Sequence, residues 1–259
     1  LARRHEVIGI DEVLRRAAGG PALPRRSLLL TFDDAYVDFA EHAWPALRVR
    51  GLPALLFVPT AFPDAPDRVF WWERLHRAIT TSGRPSLATA AGREMPLGSA
   101  AERDAAYRAM RDELKAMPNE RLVETVEATV GALGGESTRS TVLGWESLRR
   151  LEAEGVALAP HTRTHPLLPR LDPSMLDGEI TGSRDDLAGH VGASVPAFAY
   201  PSGSVSPGVA AAVAAAGLRV AFTTARGVND LRSASWMLLR RVNVSVRTPT
   251  ALVRAQVLR

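Results

Sequence analysis

Apolar residues along this chain alternate between two rhythms, and the changes of rhythm outline an α/β fold. The run Ser27-Leu28-Leu29-Leu30 leads through Thr31-Phe32 into Asp33-Asp34, which predicts a strand over 27–32 ending in two carboxylates. Helical spacing follows over about 37–49, with Trp44 and Leu47 on the apolar side, until Gly51-Leu52-Pro53 breaks it. Residues 54–58 form a second short apolar run closed by Pro59. Strand, helix and strand at this spacing make a βαβ unit, which implies a parallel sheet. The alternation returns with a helix over 145–154 stopped by Gly155 and a strand over 156–159. A helix over 173–190, a strand over 195–200, an Ala/Val helix over 205–216 and a strand over 218–223 come next, and a last strand is expected over 238–246. No internal repeat is visible.

The stretch 62–140 departs from this rhythm. It opens on Phe70-Trp71-Trp72 and is polar and Gly/Pro-punctuated through Gly98. Tyr107, Met110, Leu114 and Met117 then recur at helical spacing up to Pro118, and Leu122, Val126, Val130 and Leu133 repeat the pattern up to Gly134-Gly135. This reads as an amphipathic helical hairpin, an insertion in a single domain spanning 1–259. Leaving just after the strand at 54–58, it is expected to cap the carboxyl end of the sheet and shape substrate choice. Trp71 and Trp72 fit stacking on a sugar ring as well as anchoring the hairpin.

Composition narrows the function classes. The chain has 259 residues, 46% of them hydrophobic, enough for a sizeable core. No apolar stretch approaches the ~20 residues of a membrane span. The formal charge is +4, and the basic residues are arginines except Lys115. No basic run interleaved with aromatics is present, so nucleic-acid binding is not expected. With no cysteine, disulfides, thiolate nucleophiles and Cys-ligated zinc are excluded, and neither a reducing nor an oxidising compartment is selected. The first residue is Leu1 rather than Met, and 1–14 reads as the middle of a longer sequence, compatible with the bacterial cytoplasm or the cell envelope. Oligomeric state is not legible.

In parallel α/β folds the loops at the carboxyl ends of strands carry the site. Three polar motifs fall there: Asp33-Asp34, His161-Thr162-Arg163-Thr164-His165 and Pro201-Ser202-Gly203. Singly each has an ordinary reading: an Asp pair as turn or helix N-cap, two histidines as surface residues, Pro-Ser-Gly as a turn. Together, two imidazoles and a carboxylate make a facial set of metal ligands with open positions, and a second carboxylate is what metal-assisted hydrolysis needs as a base. The histidines share one face if the backbone there is helical. Gly203 and Gly208 have P-loop spacing, but Val209 and Ala210 stand where Lys and Ser/Thr are needed, so phosphate binding is rejected. A His-Glu-x-x-His metalloprotease motif is absent.

In this order the motifs resemble the polysaccharide deacetylases of the NodB-homology type, carbohydrate esterase family 4. The family's Thr-Phe-Asp-Asp-Gly corresponds to Thr31-Phe32-Asp33-Asp34-Ala35, and its His-Ser/Thr-x-x-His to the run from His161 to His165. Its Pro-x-Gly turn corresponds to Pro201-Ser202-Gly203, and a late Leu-Arg-Val-like segment to Leu239-Arg240-Arg241-Val242. The resemblance implies a distorted (β/α) barrel of about seven strands. It implies a divalent metal, Zn2+ foremost with Co2+ or Mn2+ as alternatives, on Asp34, His161 and His165. It implies that Asp33 is the base and that N-acetyl groups are removed from an N-acetylated glycan of an envelope or exopolysaccharide. A backbone N–H near Ser202 would then face the oxyanion. Alternatives are a same-fold amidohydrolase acting on a small non-sugar amide, or an inactive carbohydrate-binding domain. The chain departs from the family at Ala35 for glycine, at Ala199 where many members have an arginine, and in having no histidine after His190 where a late general acid is usual. Asp33 is then the expected proton shuttle, with Arg240 or Arg241 as a positioning charge and Arg241 preferred. His42, His76 and His190 are candidates for a relocated acid.

Overall fold

Strands that alternate with helices and run parallel build the larger of two units. The computed structural model describes residues 5–135, 139–192, 194–245 and 248–257. It divides into one unit of Leu1–Asp64 with Val142–Arg259 and a second of Ala65–Thr141.

The first unit begins with β1 (Glu6–Ile8), α1 (Ile10–Ala17), β2 (Ser27–Leu29) and β3 (Thr31–Phe32). The expected strand over 27–32 is thus two strands that part at Leu30, β2 pairing with β1 and β3 with β4 (Leu55–Val58). Between β3 and β4, a π-helical turn at Phe39–Ala43 runs into α2 (Trp44–Arg48).

The second unit holds α3 (Trp71–Thr81), the antiparallel pair β5 (Ser86–Ala88) and β6 (Glu94–Pro96), α4 (Ala100–Lys115) and α5 (Asn119–Ala132). The α4–α5 hairpin follows the helical periodicity, and a Ser99–Glu102 capping box starts α4. A third helix and a β-hairpin lie where the pattern read only as polar and punctuated. Leu75, Ile79, Leu87, Met110, Leu114, Leu122 and Val126 form this unit's core.

The first unit resumes with α6 (Trp145–Ala153), β7 (Ala157–Pro160), α7 (Leu176–Val191), β8 (Ala197–Ala199), α8 (Pro207–Ala215), β9 (Val220–Arg226), β10 (Leu239–Arg241) and α9 (Thr250–Val257). The last expected strand is shorter than 238–246, and residue 246 lies outside the described residues. The parallel ladders are β1-β2, β3-β4-β7 and β8-β9-β10. Among the described residues they do not close into a continuous barrel; the Val195 N–H bonded to the Leu158 carbonyl at 3.1 Å links the second ladder to the chain entering the third. Alternation of side chains makes these strands two-faced. Ile8, Leu55, Phe57, Ala159, Ala197, Ala199, Val220, Phe222 and Leu239 share one core. Phe198, Tyr200 and Ala221 point the opposite way, onto Ile180 of α7 and Val209 and Val213 of α8. Strands buried on both faces need near-continuous apolar sequence, as β4 and β8 have.

Candidate metal centre

The carboxyl ends of β3, β7, β8 and β10 each deliver one part of a polar cluster. After β3 the backbone turns sharply, Asp34 with φ 69° and Ala35 with φ 51°. Left-handed backbone costs a non-glycine residue about 1–2 kcal/mol. At Ala35, where the family has glycine, the left-handed turn persists with alanine in place: the residue is fully buried and its carbonyl accepts from the Leu143 N–H at 2.9 Å.

The histidine motif is a loop and not a helical turn, so the two rings meet by a different route from the one the spacing suggested. Thr162 and His165 have φ 66° and 59°. The His161 N–H bonds the Val58 carbonyl at 3.0 Å, and Thr60 and Ala61 donate to the carbonyls of Thr162 and Arg163 at 3.1 and 3.0 Å. Within the loop, Thr162 Oγ1 accepts from the His165 N–H at 3.0 Å. Glu179 of α7, itself buried, clamps it by accepting from the N–H groups of Arg163 and Thr164 at 2.8 and 2.9 Å and from Thr164 Oγ1 at 2.6 Å. Asp186, two turns further along the same face of α7, takes both Arg163 Nε and Nη2 at 2.7 Å and Thr60 Oγ1 at 2.9 Å. Nothing in the sequence singled out Glu179 or Asp186, because helix acids are ordinarily solvated. Removing the Glu179 carboxylate leaves two part-buried N–H donors without this acceptor, each at the lower end of the about 1–3 kcal/mol such a loss costs. Glu179→Ala is therefore expected to destabilise the chain by about 2–4 kcal/mol, read as a lowered urea midpoint at unchanged slope.

The rings of His161 and His165 lie 4.8 Å apart at 77°. Their Nε2 atoms are 3.5 and 3.3 Å from Asp34 Oδ1, and the ligand atoms of all three residues lie within 4.8 Å of one another. His161 Nδ1 is 2.6 Å from the carbonyl of Ala199 on β8. A carbonyl only accepts, so Nδ1 carries the proton and the Nε2 lone pair is turned toward Asp34. This is the arrangement by which a second partner orients a metal-binding imidazole. Asp34 Oδ1 is buried and makes no well-formed hydrogen bond, although two nitrogens flank it. Converging lone pairs around a buried carboxylate oxygen fit a divalent cation.

The charges of the three groups are mutually dependent. Burial raises the Asp34 carboxyl, but the close approach and charge of His161 and His165 outweigh it and hold the group well below the usual carboxylate range. Burial lowers His161, while the close approach of Asp34 and the charges of Asp33 and Asp34 turn the net shift upward. His165 goes down, burial being the dominant cause. Cation binding would need both rings neutral and the carboxylate ionised, so protons and a metal would compete at such a centre.

Asp33 faces an arginine. Arg241 Nη1 and Nη2 donate to Asp33 Oδ1 and Oδ2 at 2.7 and 2.8 Å, a planar two-bond pairing. Arg241 is fixed in turn by its Nε on the Thr223 carbonyl at 2.9 Å and by the Phe57 ring 6.0 Å away. Its neighbour Arg240 is exposed on the opposite side of the strand, its backbone tied to Asn229. Ser202 stands three residues past Ala199 in a left-handed turn, φ 54°, with its carbonyl accepting from Thr224 Oγ1 at 3.1 Å. Among the described residues no hydrogen bond joins Ser202 to the aspartates or histidines. Gly203 lets this turn exist, since a Cβ there would sit 2.1 Å from Thr224 Oγ1. His190, a candidate relocated acid, stacks on Trp145 at 4.0 Å and 7°. His42 is exposed, and His76 belongs to the second unit, edge-on to Tyr107 at 5.0 Å.

The family model described as polysaccharide deacetylase matches residues 106–221, which include the histidine loop and the Pro-Ser-Gly turn. Over that stretch the chain is similar to the polysaccharide deacetylases. Deacetylases with solved structures share its fold. PplD of Streptococcus pyogenes, solved with acetate, is 17% identical with a TM-score of 0.62, covering 98% of this chain and 80% of its own. IcaB of Ammonifex degensii is 20% identical, TM-score 0.59, with 98% and 84% covered. The BpsB deacetylase domain of Bordetella bronchiseptica is 18% identical, TM-score 0.58, with 93% and 79% covered. No curated protein matches in sequence.

Proposed function

We propose that this chain is a polysaccharide deacetylase, a divalent-metal-dependent hydrolase that removes N-acetyl groups from an envelope or exopolysaccharide sugar. The observation that carries the reading is the convergence of His161 Nε2 and His165 Nε2 on Asp34 Oδ1, at 3.5 and 3.3 Å, in a buried cluster. Two imidazole nitrogens and one carboxylate oxygen suit Zn2+ first, with Co2+ or Mn2+ also accommodated. The three ladders around one core are read as staves of a distorted barrel, with the centre at its carboxyl end. The family's activity, and the acetate held by one of the proteins of similar fold, support an acetyl group as the acyl group removed.

A divalent cation on Asp34, His161 and His165 supplies Lewis acidity that eases water ionisation and polarises the acetyl carbonyl. The chain supplies the rest. Asp33 takes a proton from the attacking water, and both its oxygens retain lone pairs beyond those used by Arg241. As the new C–O bond forms, the carbonyl π pair moves onto oxygen; its return breaks the C–N bond as Asp33 gives the proton to the leaving amine. A backbone N–H at Ser202 faces the developing oxyanion, a contact of the kind worth ~3–4 kcal/mol. Arg241 stays charged and therefore positions Asp33 instead of donating a proton.

Arg241→Ala is expected to lower kcat/KM by roughly 10–100-fold while bound metal, counted by elemental analysis, is unchanged. Arg241→Lys recovers only part, because an ammonium cannot make the planar two-bond contact. The pairing of Arg241 with Asp33 favours an active hydrolase over an inactive glycan-binding domain, since ligand binding alone gives a held carboxylate no task. The deciding experiment is acetate release from N-acetylated glycans and small non-sugar amides with added Zn2+, Co2+ or Mn2+. Metal-stimulated release from the glycans is expected. Release only from the small amides transfers the activity to the rival substrate class, and release from neither removes it.

A further inference from the structure

The second unit contains a cleft of its own, about 510 Å3, lined entirely by residues of 69–141. This lies within the ~300–1,000 Å3 of small-molecule sites. Its walls include Trp72, His76 and Tyr107 together with Glu73, Arg77 and Arg139. The aromatic groups are held rigidly. Trp72 stacks on Phe70 at 4.3 Å and 14° and meets Trp71 edge-on at 5.6 Å, while His76 meets Tyr107 edge-on at 5.0 Å. None of these residues takes part in the metal centre.

We infer that this cleft binds a stretch of uncharged, N-acetylated oligosaccharide. Three features select that occupant. Sugar rings present C–H faces, which the negative faces of fixed indole and phenol rings attract. Sugar hydroxyls and amides offer paired donors and acceptors, which planar guanidinium and carboxylate groups match two at a time. Two guanidiniums against one carboxylate leave the lining with one excess positive charge, so a glycan bearing free ammonium groups is repelled while an acetylated one is not. The cleft would thus hold unreacted polymer and release it as acetyl groups are lost. The occupant's identity rests on the proposed deacetylase reading; the cleft does not.

The test is calorimetric titration of the full chain with N-acetylated chitotetraose and with its fully deacetylated counterpart. Wild type should bind the acetylated tetramer, and the deacetylated one at least about threefold more weakly. Trp72→Ala should weaken the acetylated tetramer about tenfold, the scale of a lost aromatic anchor. Arg77→Ala, at an exposed position, should narrow the preference between the two tetramers, and it keeps the test decisive if Trp72→Ala does not fold. Absence of binding, binding unaffected by either substitution, or equal binding of both tetramers overturns the inference. Trp72-dependent binding without acetate release from any glycan upholds the cleft and removes the catalytic reading. Acetate release with binding indifferent to Trp72 and Arg77 does the reverse.

Discussion

His161→Ala and His165→Ala will each lose stoichiometric divalent metal, with affinity falling at least ~100-fold and acetate release falling with it. Each ring is buried, at 1% and 6% side-chain exposure, so water cannot reach in to replace the missing nitrogen as it would at a surface site. The two losses need not be equal. His161 is pre-aimed by the Ala199 carbonyl, and its removal also strands that acceptor, whereas His165 is placed by the loop that Glu179 grips. A competition titration against a chelator reads the affinities directly. Unaltered metal content in both variants would reject the assignment of the centre.

Asp33→Asn should retain most of the metal and lower acetate release by ~10²–10⁴-fold, the usual scale for a missing general base. The substitution keeps the side chain's size and leaves Asp34 untouched. It also removes the charge opposite Arg241, whose side chain is only 11% exposed. Some stability is therefore expected to go with the activity, and that loss must be separated from the chemical one. Combining Asp33→Asn with Arg241→Ala does so. If the arginine acts through the aspartate, the double variant is no slower than Asp33→Asn alone, because neighbouring groups that act as a unit are not additive. Near-wild-type turnover in Asp33→Asn would dismiss the base.

The βαβ rhythm was legible because strands buried on both faces need unbroken apolar runs, and β4 and β8 have them. The split between β2 and β3 was not, since nothing in a run of three leucines marks which residue leaves the ladder. β1 and α1 were hidden in a short, charged opening, and α9 in a stretch with little periodicity. The metal-ligand candidates stood out because two histidines and an aspartate fell at strand ends. Their true geometry depended on left-handed backbone at Asp34, Thr162 and His165, which no spacing rule conveys. Arg241 was separable from Arg240 only by the pleat, which turns adjacent residues to opposite faces. The gripping acids Glu179 and Asp186 were invisible for a simpler reason: a helix acid shows its purpose only when its partner loop is in place.

The cation that holds Asp33 is supplied 208 positions downstream of it. All three proposed metal ligands precede residue 166, so they leave the ribosome some 75 residues before Arg241 does, roughly 4–15 s at ~5–20 residues per second. During that interval the growing chain has the three proposed ligands while Asp33 is without its guanidinium partner. On the proposed reading, the donors for the metal are made before the residue that positions the base, and that positioning waits for β10.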